Sequence, residues 1–251
     1  MNPPLPHAFA HRDDEHDRPL FDALALGVRH VELDVWFLFG RLLVAHDPQD
    51  LRPRRTLDRL YLTPLVEAYR EGHLDRRDAT WIYVDVKTRA EPAYRAVERL
   101  AARHASWIAR PGEDGRPIHL ILTGNRPRYP SLHARGGICR YDGRLADLAA
   151  PRSAATMPTV SADWTRFTTW RGDGPMPSDD LANLRAAVHA AHDAGQQLRF
   201  WATPDRPGPE RETVWRTLLD EGVDLLNSDD LEGLARFLEA RQAPRNDNSS
   251  A

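Results

Sequence analysis

Two histidines, three carboxylates and a lysine fall where they can act together. His11 precedes Asp13 and Asp14, His46 stands beside Asp47, and between them Val31-Glu32-Leu33-Asp34-Val35 carries two carboxylates two residues apart. Side chains alternate across a strand, so Glu32 and Asp34 share one face while Val31, Leu33 and Val35 share the other. One face packs and the other is left for chemistry. The stretch Trp81-Ile82-Tyr83-Val84-Asp85-Val86-Lys87 repeats the arrangement, with Asp85 and Lys87 ending one face and an aliphatic face opposite. Glu32, Asp34 and Asp85 together form a set of hard oxygen ligands suited to Mg2+ or Ca2+, not to a thiolate-rich zinc site. Pairing with surface arginines is the plain alternative, but each carboxylate lies in an otherwise apolar strand, where unpaired charge is costly.

His11 and His46 each follow an apolar strand and precede acidic loop residues, which suits a general acid and base working near neutral pH. His73, His104, His189 and His192 lack that company and read as structural. Lys87 and Arg12 are placed to neutralise a phosphate beside the metal, Arg12 bidentately. Simple salt bridges to Asp85 and Asp14 are the competing readings. Trp201 either walls the pocket or fills the core.

The elements that must position these groups alternate along the chain. Strands are expected at His7–Arg12, His30–Trp36, Trp81–Lys87, Ile118–Leu122, Gly137–Tyr141, Pro158–Asp163, Leu198–Thr203 and Val223–Leu226. An extension turning at Gly40 delivers His46 to a strand end. Helices are expected from Pro19 to Gly27, from Thr56 with an interruption at Pro64, and over Glu91–His104, Asp179–Ala194, Glu210–Glu221 and Asp230 to about Arg241. About eight alternations favour an α/β fold of the (β/α)8 TIM barrel type, a single domain over residues 1–241, followed by a disordered tail over 242–251. Neither GxGxxG nor GxxxxGK[ST] is present, which removes the main support for a nucleotide-binding loop.

With 34 basic and 37 acidic residues, the net charge of -3 gives no reason to expect nucleic-acid binding. The single Cys139 excludes an intrachain disulfide. No apolar run is long enough to span a bilayer, so a lipid substrate is expected to be met from the aqueous side through transient contact with a membrane surface. The first residues lack a basic and then apolar leader, so a cytoplasmic location is the default expectation, and a secreted or periplasmic one applies if a leader was trimmed.

The order H-R, ELD, HD, D-x-K and a strand tryptophan resembles the glycerophosphodiester phosphodiesterase and phosphatidylinositol-specific phospholipase C superfamily of metal-assisted TIM barrels. HAFAHRDDEHDRPL, LLVAHD, RTLDRLYLTPL, VDVKT, ILTGNRP and WATPDRPGPERETVWRTLLDEGVDLLNSDDL are similar to its branch named for altered inheritance of mitochondria. The chain departs from that branch at His11-Arg12-Asp13-Asp14, where His-Asn-Asp-Tyr is usual, and Arg12 matches glycerophosphodiesterases better. Asp85 stands where many of those have Glu and resembles the sphingomyelinase D-like toxins. The resemblance implies a metal-dependent phosphodiesterase acting on a glycerophosphodiester or lipid head group, with His11 and His46 exchanging protons, the cation on Glu32, Asp34 and Asp85, and Lys87, Arg12 and Trp201 holding substrate. It also implies that a hydroxyl of the substrate can attack first and give a cyclic phosphate. The rival expectations are a phospholipase D or sphingomyelinase D-like lyase that releases that cyclic phosphate, and a non-catalytic barrel that binds a phosphorylated ligand.

Overall fold

Strand β2 (His30–Leu38) divides its residues as alternation requires. Val31, Leu33 and Val35 are fully buried in one apolar cluster with Leu24, Leu65 and Val97, whereas Glu32 and Asp34 project to the other side. Burying each such aliphatic side chain contributes about 1.5–3 kcal/mol. The same division recurs in the other parallel strands, and the whole follows from it. The computed structural model describes residues 2–113, 115–127, 136–150 and 152–242.

Nine strands form one sheet: β1 (Ala8–Ala10), β2, β3 (Arg41–Val44), β4 (Thr80–Val86), β5 (Ile118–Gly124), β6 (Arg140–Gly143), β7 (Thr159–Asp163), β8 (Gln197–Trp201) and β9 (Leu225–Ser228). β1 pairs in parallel with both β9 (Ala8 with Leu226) and β2 (Phe9 with His30), so eight parallel strands close into a barrel. β3 returns antiparallel along β2 as the arm that carries His46. Around the barrel lie α1 (Phe21–Ala25), α2 (Thr63–Arg70), α3 (Ala90–Arg103), α4 (Trp164–Phe167), α5 (Ser178–Asp193), α6 (Pro209–Asp220) and α7 (Leu231–Gln242). The expected TIM barrel is the observed architecture.

The lumen is filled, not hollow. Near the start of the strands Trp81 stacks between His30 and His119, with ring centroids 5.8 and 4.0 Å away. Further along, Phe9, Tyr83, Ile121 and Leu225 form a small apolar cluster of their own. Past that plug the register sets Asp34 beside Asp85, and Asp85 beside Thr123. Polar side chains therefore collect at the C-terminal ends of the strands, where barrel loops converge.

Several boundaries differ from expectation for identifiable reasons. β1 ends at Ala10 because Arg12 turns into the left-handed region, at φ 47. Helix α1 is only five residues long, since Leu20 before it has φ 69. Pro64 does not interrupt its helix: it sits in the first turn of α2, where no amide donor is needed, after a π-helical turn over Asp58–Leu62. Thr56 does act as the cap, its Oγ1 accepting from the Arg59 amide at 3.3 Å. The fifth strand starts at Arg140, not Gly137, because the Glu98 carboxylate takes the Ile138 and Cys139 amides at 2.9–3.0 Å and removes them from the ladder. β9 likewise starts at Leu225, the Val223 amide being held by the Leu218 carbonyl. Asp230 caps α7 through the Gly233 amide at 2.8 Å. That helix runs to Gln242, and the remainder of the expected tail lies outside the described residues.

Candidate active site

A cavity of about 480 Å3 opens at the C-terminal ends of the strands, and all eight residues singled out in the sequence line it: His11, Arg12, Glu32, Asp34, His46, Asp85, Lys87 and Trp201. Neither histidine uses the acidic neighbour that stands beside it in sequence. His11 continues β1, its amide donating to the Ser228 carbonyl, and its ring Nδ1 meets Asp229 Oδ1 at 2.6 Å. His46 leaves β3, and its Nδ1 meets Asp34 Oδ2 at 2.5 Å. In each ring Nε2 makes no hydrogen bond to a described residue. An imidazole anchored through Nδ1 has its tautomer and orientation fixed, and Nε2 becomes the atom that can exchange a proton.

Electrostatics follow from these pairings. Burial alone would push the His11 imidazole down, but the Asp229 hydrogen bond and the charge of Glu32 outweigh it and leave its pKa raised. Asp229 is held below the usual carboxylate range: burial opposes this, and His11 overrides it. The Asp229 loop is pinned in turn by Asp205, which accepts the Asp229 amide at 2.8 Å and the Ser228 hydroxyl at 2.5 Å.

Lys87 lies between two carboxylates, 3.1 Å from Asp34 Oδ1 and 2.9 Å from Asp85 Oδ2. The salt bridge to Asp85, the competing reading for Lys87, is thus present, and Lys87 also lines the cavity. Its pKa is raised, because Asp85 and Asp34 more than cancel the opposing effect of burial. Asp85 is raised by burial and by the nearby Glu32, with Lys87 pulling the other way. Its Oδ1 fills the space beside Gly124, where an added Cβ would fall 1.8 Å from it, and Gly124 itself has φ +64. A side chain there would evict the carboxylate.

Glu32 is neutralised by a group not anticipated in the sequence. Arg199, buried in β8, donates from Nη1 to Glu32 Oε2 at 2.5 Å and to Asn227 Oδ1 at 2.9 Å, from Nε to Ser161 Oγ at 2.9 Å, and approaches Asp142 at 3.5 Å. Its guanidinium rests 3.9 Å from the Phe9 ring centre. Burial favours the neutral acid, but Arg199 and then His11 keep Glu32 below its ordinary pKa. Arg12 does not pair with Asp14. Its nearest acidic contact is Glu15 at 3.9 Å, and its buried Nε has no hydrogen-bond partner. Asp14 instead accepts the Asp34 amide at 3.1 Å, and burial together with Asp34 pushes its carboxyl to about 6. Trp201 ends β8 and is 36% exposed, so it walls the cavity instead of filling the core.

Glu32, Asp34 and Asp85 offer the donor chemistry of a hard divalent cation, and Glu32 Oε1 and Asp85 Oδ1 make no hydrogen bond to a described residue. Asp34 fits in part only, both its oxygens being engaged by His46 and Lys87. Among the described residues no three His, Cys, Asp or Glu side chains converge on one cation position. The physical reason is visible: the Lys87 ammonium stands between Asp34 and Asp85.

Asp229, Asp205, Arg199, Asn227 and Arg144 also line the cavity, beyond the site residues the sequence points to. Arg199 carried the same signal as Glu32, a charge between apolar neighbours in Leu198-Arg199-Phe200, and Asn227-Ser228-Asp229 is a polar tip on an apolar strand. Of the four histidines expected to be structural, His104 pairs with Asp58, His192 with Asp224 and His73 with Glu71, while His189 is exposed on α5; none lines the cavity.

Residues 4–73, which contain His11, Glu32, Asp34 and His46, match the family model described as AIM6-like phosphodiesterase domain. The altered inheritance of mitochondria protein 6 homolog of Arthroderma benhamiae is 28% identical over an alignment covering 91% of this chain and 82% of the relative. Altered inheritance of mitochondria protein 6 of Saccharomyces cerevisiae strain S288c is 26% identical, with 91% and 69% covered. Among solved structures, a glycerophosphoryl diester phosphodiesterase from Parabacteroides distasonis superposes with TM-score 0.57 at 11% identity, covering 96% of this chain and 88% of that one. A calcium-dependent phosphoinositol-specific phospholipase C from a Gram-negative Pseudomonas superposes with TM-score 0.53 at 13% identity, covering 90% of each. The resemblance read from the sequence holds, and the solved structures share the fold. No described helix is long and apolar enough to cross a membrane.

Proposed function

We propose that the cavity is the active site of a phosphodiesterase that cleaves a glycerophosphodiester or phospholipid-type phosphodiester by His/His acid-base catalysis with a divalent cation. The observation that carries the proposal is the pair of histidines, each anchored at Nδ1 by a carboxylate and each lining the one cavity that also holds Lys87 and Arg12. Phosphoryl transfer needs a proton removed from the attacking hydroxyl and one delivered to the leaving oxygen. Nε2 of one ring takes the first, and Nε2 of the other supplies the second. Lys87 and Arg12 line the cavity and would neutralise the phosphate's equatorial oxygens as they gain charge. Trp201 bounds the substrate on the β8 side.

Glu32 and Asp85, with Asp34 as the third carboxylate, would hold the cation, Mg2+ or Ca2+, which when bound supplies positive charge to a phosphodiester oxygen. The phosphodiesterase description of the matched family model and the chemistry named for the two superposed structures support the reading.

The test is phosphorus NMR of a phosphodiester panel, glycerophospho-alcohols and lysophospholipids, incubated with the protein and either Mg2+ or Ca2+. A linear phosphomonoester is the expected product. Accumulation of a cyclic phosphate would assign the lyase reaction instead. No turnover of any member with either cation would overturn the proposal in favour of a barrel that only binds a phosphorylated ligand.

A further inference from the structure

The rim does not end at Trp201. A second hollow of about 440 Å3 opens beside the catalytic cavity, and Trp201 and Arg144 line both. Leu145, from the short turn after β6, Ala162 near the end of β7 and Phe167 of α4 line it together with Trp201, so its bed is largely apolar. Its one carboxylate is spoken for. Asp163 accepts from the Thr165 amide and hydroxyl at 2.9 and 2.6 Å and faces Arg166 at 3.4 Å, while Arg144 donates to the Gly124 carbonyl at 3.2 Å. No unpaired carboxylate is left to draw a cationic head group. Trp201 is also one of only three large apolar side chains at least 36% exposed among the described residues, and it is the one at the catalytic rim. An indole with one side on a phosphate cavity and another on an apolar hollow matches a ligand whose phosphate and hydrocarbon adjoin.

We infer that this hollow is a subsite for the acyl or alkyl chain of a phosphodiester whose phosphate lies in the catalytic cavity. The inference rests on the phosphodiesterase reading for its substrate class, since it is the chain's continuity with a bound phosphate that selects this hollow. Asn183 of α5 is exposed and lines this hollow but not the catalytic cavity, so a larger side chain there narrows the hollow alone.

The experiment uses alkylphosphonates, whose carbon–phosphorus bond no phosphodiesterase cleaves. Dodecylphosphonate, kept below its micelle concentration, and methylphosphonate are titrated calorimetrically into the wild-type protein, Asn183→Trp and Leu145→Glu, with melting curves to confirm that each variant is folded. In the wild type the dodecyl compound is expected to bind at least about tenfold more tightly, an advantage that fewer than two buried methylenes would supply. Each variant should erase most of that advantage and change methylphosphonate affinity by no more than about twofold, since the phosphate position is untouched. Equal affinity of the two compounds for the wild type would overturn the subsite, as would a chain preference that survives both variants. A chain preference without turnover of any phosphodiester would sink the catalytic reading and leave the hollow standing. Turnover without a chain preference would do the reverse.

Discussion

At His11 the orienting carboxylate is Asp229, from the loop after β9, and at His46 it is Asp34, from within β2. The contacts are nearly the same length, yet the stations differ in what else depends on them. Asp229 is half exposed, serves the one imidazole and is held from behind by Asp205. Asp34 is buried, holds His46 with one oxygen and Lys87 with the other, and receives backbone support through Asp14. A carboxylate with one task can be lost at a bounded cost; one that joins a histidine, an ammonium and the proposed cation site cannot. The His46 side of the cavity is thus the more tightly coupled half.

The largest effect should come from Asp34→Asn. With His46, Lys87 and a cation ligand all disturbed, turnover of a phosphodiester is expected to fall about a thousandfold or more. A loss of under about tenfold would show the coupling to be unimportant. Asp229→Asn should be milder than Asp34→Asn, because Asp229 touches neither Lys87 nor the proposed cation site. Its more telling signature is the pH profile. Because Asp229 raises His11 against the effect of burial, its removal lowers that pKa, and the limb governed by His11 should move to lower pH. An unmoved profile would mean that Asp229 is not the group poising His11. The same pair has a stability consequence: a raised histidine stabilises the fold fully below its unfolded value of 6.5, and the contribution is lost as pH climbs through the folded pKa.

The smallest effect on turnover belongs to a carboxylate that serves neither histidine. Asp13 is fully buried, accepts from the Leu20 amide and the Tyr61 hydroxyl, and is pushed up by burial to about 6 from 3.8. Its folded form holds the proton more tightly than the unfolded chain does, so this contribution is full below 3.8 and is lost as pH rises through about 6. Asp13→Asn, which removes the buried charge, should leave turnover within about twofold and raise stability at pH 7 by about 1–3 kcal/mol, the gap closing by pH 4. Denaturant unfolding at the two pH values would measure it. A variant less stable at pH 7 than the wild type would contradict this.

Much of the positioning was legible because one rule governs it. A polar residue alternating with Val, Leu and Ile in a strand must point into a barrel, and Glu32, Asp34, Asp85 and Lys87 obey it. What the sequence could not show were partnerships between distant residues: His11 with Asp229, 218 positions apart, and Glu32 with Arg199, 167 apart. Local acidic neighbours, Asp13 and Asp14 beside His11 and Asp47 beside His46, were the visible candidates, and barrel closure replaced them with groups from other strands. Strand edges were misread for a related reason. The amides of Ile138 and Cys139 look available to a ladder until Glu98, on a helix some forty residues earlier, is brought against them.

The central claim is that both histidines do chemistry in one cavity, and the most direct test is turnover by His11→Ala and His46→Ala alongside the wild type, with a divalent cation and with chelator. The account predicts cleavage by the wild type that chelator abolishes, and losses of about a hundredfold or more in each variant while circular dichroism and melting temperature stay close to wild type. A folded double variant that cleaves as fast as the wild type would contradict it.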